Sequence, residues 1–172
     1  MDVFEALRTR RSVRSFKEDK IEEDKLNKVL EAGRLAPSAN NRQQWRFVVV
    51  EDASLRDKLK EAVKQDFVSA APVVIAACAV GVEHVMSCGE KSYSIDVAAA
   101  IDHMIIQAAE LGLGSCWIGA FYQDKVKEIL DIPDDVRVVS LLPLGYPREP
   151  LRLEEKDRKP LGEIVCRDGW KF

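Results

Sequence analysis

Val73-Val74-Ile75-Ala76-Ala77-Cys78-Ala79-Val80 is an uninterrupted apolar run that Pro72 introduces. Its length and its bounding proline are typical of a buried β-strand. Two other apolar runs have the same character, Trp45–Val50 and Val136–Leu144, and the second of them ends at a Gly-Tyr-Pro turn. These three runs are predicted to be the main strands of the protein.

Apolar residues recur at helical spacing in the segments between these strands. Asp2 precedes a first short helical pattern and Asp124 a late one, and both residues are expected to cap their helices. Longer helical patterns cover residues 22–35, 54–65 and 94–111. Because helices and strands mix without regular alternation, we expect an α+β layer fold rather than a doubly wound one.

Composition places the chain among globular proteins and excludes several functions. The 172 residues are 47% apolar and 32% charged, with a net charge of −3. A chain of this length without repeats fits one domain, 1–172. Its charge gives no reason to expect a nucleic-acid partner, and its apolar runs are shorter than the about 20 residues that span a bilayer. The first residues lack the layout of a signal peptide, so a cytoplasmic location is expected.

The chain offers few side chains for conventional catalysis. Its four cysteines are widely spaced and form no Cys-x-x-Cys pair, so free thiols are expected in a reducing compartment. His84 and Cys88 are too few to bind a metal, and no metal is predicted. The sequence contains no serine-nucleophile elbow, Walker loop or Gly-x-Gly-x-x-Gly motif. An enzyme of this kind often takes its chemistry from a cofactor.

Three segments have residues suited to a ligand, and each also has a plainer interpretation. In Arg10-Arg11-Ser12-Val13-Arg14, three guanidinium groups and a hydroxyl group match phosphate oxygens, although a solvated basic turn fits as well. Pro37–Trp45 carries amides that can pair with a heteroaromatic edge, or it is only a helix stop and a turn. The small residues of Gly112–Phe121 let a backbone approach a flat ligand, or they serve tight packing.

Together these segments resemble the nitroreductase family of FMN flavoproteins, and the resemblance covers nearly the whole chain in order. It implies a central mixed, largely antiparallel sheet flanked by helices. The motifs that carry it are Arg-Arg-Ser-x-Arg-x-Phe at 10–16, Ala-Pro-Ser-x-x-Asn-x-Gln-x-Trp at 36–45, Gly-Leu-Gly at 112–114, Leu-Gly-Tyr-Pro at 144–147 and Lys-x-Arg at 156–158.

The resemblance also implies that FMN is the cofactor and that two subunits bind it. The phosphate and ribityl chain would be held by Arg10, Arg11, Ser12, Lys156 and Arg158. Arg14 would lie nearer the pyrimidine edge, and Arg14 and Lys156 would support the reduced flavin electrostatically. The partner subunit would contribute Ser38, Ala39 and Asn41, and Pro37 and Gln43 of the same loop are also expected to bind the cofactor. The ring near N5 would be lined by backbone groups of Ile118, Gly119 and Ala120.

The implied activity is transfer of reducing equivalents from NAD(P)H, through flavin N5, to a small acceptor in ping-pong turnover. The acceptor would be a nitroaromatic, a quinone or a flavin, and no side chain is expected to be catalytic. Three alternatives stay open. They are a same-fold flavin enzyme with another outcome (flavin fragmentation or reductive dehalogenation), a non-catalytic FMN carrier or sensor, and a phosphate-binding module without flavin.

The chain departs from the family pattern at three places. Trp117–Phe121 lacks the acidic residue of the Pro-Ile-Glu-Gly-Phe segment that many relatives carry, and Gln44 replaces a common proline. Residues 81–93 are shorter than the helical excursion that shapes the substrate pocket in larger members. For these reasons the sequence predicts neither the acceptor nor a preference for NADH over NADPH.

The C-terminal residues 148–172 are expected to form an arm that is exchanged in a homodimer. Most of this tail is charged, and its last part contains the apolar residues Leu161, Ile164, Val165 and Trp170. Such a tail must pack on something. A partner subunit is one host, and the chain's own core is the other.

Overall fold

A computed structural model of the protein describes residues 1–152 and 156–170. In the described part of the chain, one four-stranded sheet forms the centre of the molecule. Its strands are β1 (Trp45–Val50), β2 (Val73–Ala79), β3 (Gly114–Ser115) and β4 (Arg137–Gly145). They lie in the order β1-β2-β4-β3, and each neighbouring pair is antiparallel. The predicted α+β fold with a largely antiparallel sheet is confirmed.

Strand β2 lies at the centre of the core because both of its faces are covered. All seven of its residues are buried. Val73, Ile75 and Ala77 belong to one apolar cluster, while Val74 and Ala76 belong to another on the opposite face. Alternate side chains of a strand point to opposite faces, so a strand buried on both sides reads as the continuous apolar run seen in the sequence.

Helices cover the two faces of the sheet as separate layers. Residues of α2 and α5 pack in the cluster around Ile75, and residues of α3, α4 and α6 pack in the cluster around Val74. The six α-helices in the described ranges are α1 (Val3–Thr9), α2 (Glu23–Arg34), α3 (Ala53–Val63), α4 (Phe67–Ala70), α5 (Ser92–Glu110) and α6 (Gln123–Leu130). Short 3-10 turns lie at Ala39–Asn41 and Leu161–Glu163.

Two predictions about helix starts have different outcomes. Asp2 caps α1, since its carboxylate accepts a hydrogen bond from the Glu5 amide and the Glu5 side chain returns one to the Asp2 amide. The prediction that Asp124 caps α6 is wrong. The residue before that helix is Tyr122, and Asp124 lies within the first turn. A carboxylate there still interacts favourably with the positive end of the helix dipole.

The tail leaves its apolar residues exposed within one chain. The exposed fraction is 74% for Leu161, 54% for Ile164 and 86% for Trp170. The predicted arm lies partly outside the described residues, because 153–155 and 171–172 are not among them. All four cysteines fall in the described ranges and are free. No helix within these ranges is long and apolar enough to cross a membrane.

Candidate functional site

The basic segment leaves α1 in an extended conformation and runs alongside β3. The Val13 amide donates a hydrogen bond to the Ser115 carbonyl at 2.8 Å, and Ser12 forms a parallel bridge with Ser115. Val13 is buried, whereas Ser12 and Arg14 on either side of it are exposed. The alternation of an extended chain therefore fixes the segment through Val13 and places Ser12 and Arg14 on its exposed side.

A cavity of about 450 Å³ opens beside this segment. Its walls are formed by residues 11–15 and by Pro147, Arg148 and Glu149 at the start of the tail. The Arg11 guanidinium donates to the Pro150 carbonyl at 3.3 Å, which holds the tail against the basic segment. The cavity is therefore enclosed by two stretches that are far apart in the sequence.

Lys156 meets Arg10 and Arg158 at the end of α1. The Lys156 ammonium donates to the Leu7 carbonyl at 2.6 Å, in the last turn of the helix. Burial, and then the neighbouring charges of Arg10 and Arg158, lower the pKa of Lys156. Among the described residues, no carboxylate forms a salt bridge with any of these three cations. Three clustered cations without an anion form a site that suits a phosphate group.

The segment after β3 lies against Ser12 and Arg14 of the basic segment. The Cys116 thiol is buried, and burial raises its pKa, while the charge of Arg14 and a hydrogen bond with Ser12 act in the opposite direction. These interactions bring both side chains next to Cys116. Strand β3 ends at Ser115, and pairing resumes only at a bridge between Ile118 and Leu141.

Ile118 and the two residues after it differ in what they offer a ligand. The Ile118 amide donates to the Leu141 carbonyl at 2.9 Å, and the Ile118 carbonyl accepts from the Leu141 amide and the Ser140 hydroxyl. Its backbone is therefore engaged within the fold. Gly119 and Ala120 are exposed, and a Cβ added at Gly119 would meet no atom within 4 Å. Within one chain, the open surface of this segment lies at these two residues.

The loop after Pro37 has a strained and tightly bonded backbone. Asn40, Asn41 and Gln43 have φ values of 51°, 54° and 49°. The Ser38 hydroxyl accepts from the Gln43 amide at 3.0 Å, and the Gln43 side chain donates to the Asn41 side chain at 3.1 Å. Left-handed residues other than glycine cost about 1–3 kcal/mol each and persist only where the surroundings fix them.

Two buried residues of α5 anchor this loop, and the sequence analysis had not singled them out. The Asp96 carboxylate accepts from the Ala39 amide at 3.0 Å, and its second oxygen is buried without a partner in the described ranges. Ser92 reaches the loop through Gln44, whose side-chain oxygen accepts from the Ser92 hydroxyl at 3.0 Å. The sequence signal for these contacts is slight, since it consists of polar residues at the start of an otherwise apolar helix.

The predicted site residues thus fall into two groups within one chain. In the first group, Arg10 lies near Lys156 and Arg158, Arg11 contacts Pro150, and Ser12 and Arg14 lie next to Cys116. The loop residues Pro37, Ser38, Ala39, Asn41 and Gln43 form the second group. Their described hydrogen bonds run to α5, run to the Arg46 side chain of β1 or stay within the loop, and none of them joins the basic segment of the same chain.

Known proteins resemble this chain in sequence and in fold. The model of the nitroreductase family matches residues 7–75 and 62–146. A relative from Archaeoglobus fulgidus that carries the name NADH dehydrogenase/NAD(P)H nitroreductase is 32% identical over 169 residues, which are 94% of this chain and 95% of that one. Two crystal structures of nitroreductase family proteins are also similar. The one from Clostridium novyi has 36% identity and a TM-score of 0.83, with 87% of each chain covered.

The second crystal structure, from Clostridium difficile, has 32% identity and a TM-score of 0.86 over 99% of this chain and all of that one. Some names among the relatives specify a cofactor or a reaction. They include an FMN-dependent nitroreductase structure from Clostridium difficile at 28% identity and an FMN reductase [NAD(P)H] from Bacillus subtilis at 29%. They also include a 5,6-dimethylbenzimidazole synthase at 28% and an iodotyrosine deiodinase at 27%. The matched residues, the fold and the order of the motifs agree, and the chain belongs to the nitroreductase family.

Proposed function

We propose that this chain is an FMN-dependent oxidoreductase that transfers reducing equivalents from NAD(P)H to a small acceptor. The observation that carries the proposal is the meeting of Arg10, Lys156 and Arg158 at the end of α1, where no carboxylate of residues 1–152 or 156–170 forms a salt bridge with them. A terminal phosphate supplies the missing negative charge. The relatives whose names specify FMN support the same cofactor.

The chain's own residues fit FMN at three points. Arg10, Lys156 and Arg158 would hold the phosphate by charge-assisted hydrogen bonds. The exposed stretch of Gly119 and Ala120 leaves room for a flat ring and for a second molecule above it. Bound FMN supplies two-electron redox chemistry, which side chains cannot provide. Arg14 lies close to Cys116, and its charge would stabilise negative charge on the reduced ring.

Under the same proposal, residues of two subunits together form the cofactor site. Within one chain the loop 37–43 is bonded to α5 and not to the basic segment, so one chain contributes the phosphate group of residues and its partner the loop. Exposed apolar side chains on α1 and in the tail support a homodimer, among them Val3, Phe4 and Leu161 at 72%, 68% and 74% exposure. Contiguous exposed apolar surface marks an interaction site.

A test of this function needs the purified protein and three measurements. Acid release followed by mass spectrometry should identify FMN. Anaerobic NADH or NADPH should bleach the yellow protein within seconds. A nitroaromatic, a quinone or free flavin should then restore the colour. Recovery of FAD, or no flavin after reconstitution, contradicts the cofactor assignment. A yellow protein that neither nucleotide bleaches is a carrier or sensor rather than an NAD(P)H oxidoreductase.

Two relatives motivate a second candidate, a flavin enzyme of the same fold with another reaction. One is named a 5,6-dimethylbenzimidazole synthase and the other an iodotyrosine deiodinase. The reduced protein separates these cases. Dimethylbenzimidazole formed from FMN under oxygen, or iodide released from iodotyrosine under nitrogen, would favour the second candidate. Rapid turnover with quinones or nitroaromatics, without either product, favours the first.

A further inference from the structure

Gln44 is buried where the loop of residues 38–43 (the cofactor loop) runs into strand β1. Only 7% of it is exposed, and its side-chain amide has partners on both ends. The nitrogen donates to the Val80 carbonyl at 3.0 Å and to the Gly81 carbonyl. The oxygen accepts from the Ser92 hydroxyl at 3.0 Å, and Ser92 is fully buried. The amide therefore uses both its donor and its acceptor capacity inside the fold.

These partners are the two ends of one hairpin. Val80 and Gly81 follow β2, and Ser92 begins α5. Between them the chain folds back on itself, with a bridge between Val85 and Lys91 and a hydrogen bond from the Ser92 amide to the His84 carbonyl at 3.2 Å. Gln44 thus connects both ends of the hairpin 82–91 to the cofactor loop, which precedes β1.

The backbone at Gly81 is shaped around this contact. Its φ is +60°, and a Cβ there would lie 3.2 Å from the Gln44 side-chain nitrogen. The Gln44 backbone carbonyl also accepts from the Val80 amide at 2.9 Å. Main-chain and side-chain bonds therefore connect the same residues, and the junction has little freedom to shift.

The cofactor loop needs such an attachment. Asn40, Asn41 and Gln43 all have left-handed backbone conformations, which persist only when neighbouring structure fixes them. The Asp96 carboxylate fixes the beginning of the loop at Ala39, and Gln44 is the corresponding fixed point at its end. Both points are attached to the first two turns of α5.

We propose that Gln44 is a positioning residue that holds the loop 38–43 and the hairpin 82–91 as one unit, and so fixes the loop in the shape that binds the cofactor. The proposal rests on the proposed function, in which this loop contacts FMN. Its consequence is that disturbing the base of the hairpin weakens FMN binding, although no hairpin residue belongs to the cation site.

Hydrogen exchange of the apoprotein and the FMN dissociation constant test the proposal together. In Gln44→Ala, amides of the loop and of the hairpin should exchange faster in concert, and the dissociation constant should rise about tenfold. Ser92→Ala removes one of the bonds and should give a smaller change in the same direction. Gln65→Ala is the control, because it removes a side-chain amide just after α3, which packs on the opposite face of the sheet from α5.

A third variant keeps the test informative if Gln44→Ala folds poorly. Gln44→Glu preserves the shape and the acceptor for Ser92 but sets a carboxylate against two carbonyl oxygens. Protonation restores a donor, so FMN affinity of this variant should recover toward the wild-type value as the pH falls, relative to wild type at each pH. Faster exchange in the hairpin alone, or FMN affinity in Gln44→Ala and Gln44→Glu equal to wild type at every pH, overturns the proposal. Wild-type protein that binds no FMN overturns the proposed function instead.

Discussion

Lys156 is the residue whose state depends most directly on a bound anion. Its ammonium lies over the carbonyl end of α1, where a helix dipole favours a positive charge. Burial and the charges of Arg10 and Arg158 oppose that charge and lower the pKa. A phosphate bound among the three cations removes this repulsion. Phosphate binding and protonation of Lys156 should therefore favour each other.

The first prediction concerns the pH dependence of FMN affinity. FMN should bind most tightly below the lowered pKa of Lys156, and affinity should fall as the pH rises through that pKa, because the neutral amine no longer attracts the phosphate. In Lys156→Arg the fall should disappear from the range 7–10, since a guanidinium stays protonated there. Quenching of FMN fluorescence at each pH measures the dissociation constant. Identical profiles for wild type and Lys156→Arg would contradict the assignment.

The second prediction separates two arginines of the basic segment. Arg10→Ala removes a phosphate contact and should weaken FMN binding by roughly 1.5–3 kcal/mol, the range for hydrogen bonds to charged groups. Arg14→Ala should change the reduction potential more than the affinity, since Arg14 is proposed to face the reduced ring. A two-electron couple shifts by about 30 mV for each 1.4 kcal/mol.

Lys58→Ala, on the exposed side of α3, is the matched control for loss of a positive charge. Titration of the bound flavin with reference dyes gives the potential, and fluorescence gives the affinity. If Arg14→Ala binds FMN far more weakly at an unchanged potential, Arg14 belongs to the phosphate site.

At the scale of elements, the sequence predicts which segments form structure better than it predicts how they pair. Strands β1, β2 and β4 begin and end within a residue of their predicted positions, because burial on the sheet requires continuous apolar runs. The order β1-β2-β4-β3 could not be predicted. Similar apolar faces fit several partners, and the register of β2 against β4 also shifts at Cys78. The short helix α4 was missed because four residues carry no periodicity.

The candidate site shows the same division. Spacing indicated a phosphate-binding segment at residues 10–14, yet only the resemblance linked it to Lys156, which lies 149 residues from its acceptor at Leu7. Gln44, Ser92 and Asp96 went unrecognised as anchors. Their role depends on where β2 ends and α5 begins in space, and local sequence does not report that.

The third prediction concerns the contact between β3 and the basic segment. A Cβ at Gly114 would lie 2.7 Å from the Val13 side chain, which is branched and buried. Gly114→Ala should therefore destabilise the protein by about 1–3 kcal/mol, the usual cost of overpacking. Because Val13 lies between Ser12 and Arg14, displacement of the segment should also weaken FMN binding.

Ala53→Ser is the control, since it adds one heavy atom to an exposed side chain at the start of α3. Thermal unfolding of the apoprotein measures the first effect, and fluorescence titration the second. A Gly114→Ala protein with unchanged stability and unchanged FMN affinity would show that β3 does not fix the segment.

At the scale of the whole molecule, exposed apolar residues mark two regions of the single chain. One region lies where α1, α2 and α5 border a cavity of about 460 Å³ that is lined by Val3, Leu35 and Ile106, among others. The other is the end of the tail, with Leu161 and Ile164 exposed. The cation site (Arg10, Lys156 and Arg158) is adjacent to both regions in the sequence. Arg10 follows α1, and Lys156 precedes Leu161. Covering both regions with a partner subunit would bury the apolar surface and bring the partner's loop to the cofactor.

The last prediction is that dimer and cofactor site form together. A chain truncated after Pro147 loses Lys156, Arg158 and the apolar end of the tail, so it should sediment as a monomer and bind FMN poorly.

Two full-length variants separate these losses. Ile164→Glu places a charge on the proposed interface and should weaken the dimer first, whereas the double change Lys156→Ala and Arg158→Ala should keep the dimer and weaken FMN binding. In the wild type, stability should rise with protein concentration, and FMN at a hundredfold excess over its Kd should add about 2.7 kcal/mol if only the dimer binds it. Sedimentation of each chain with and without FMN is the measurement. A truncated monomer that binds FMN as tightly as the full chain would refute the shared site.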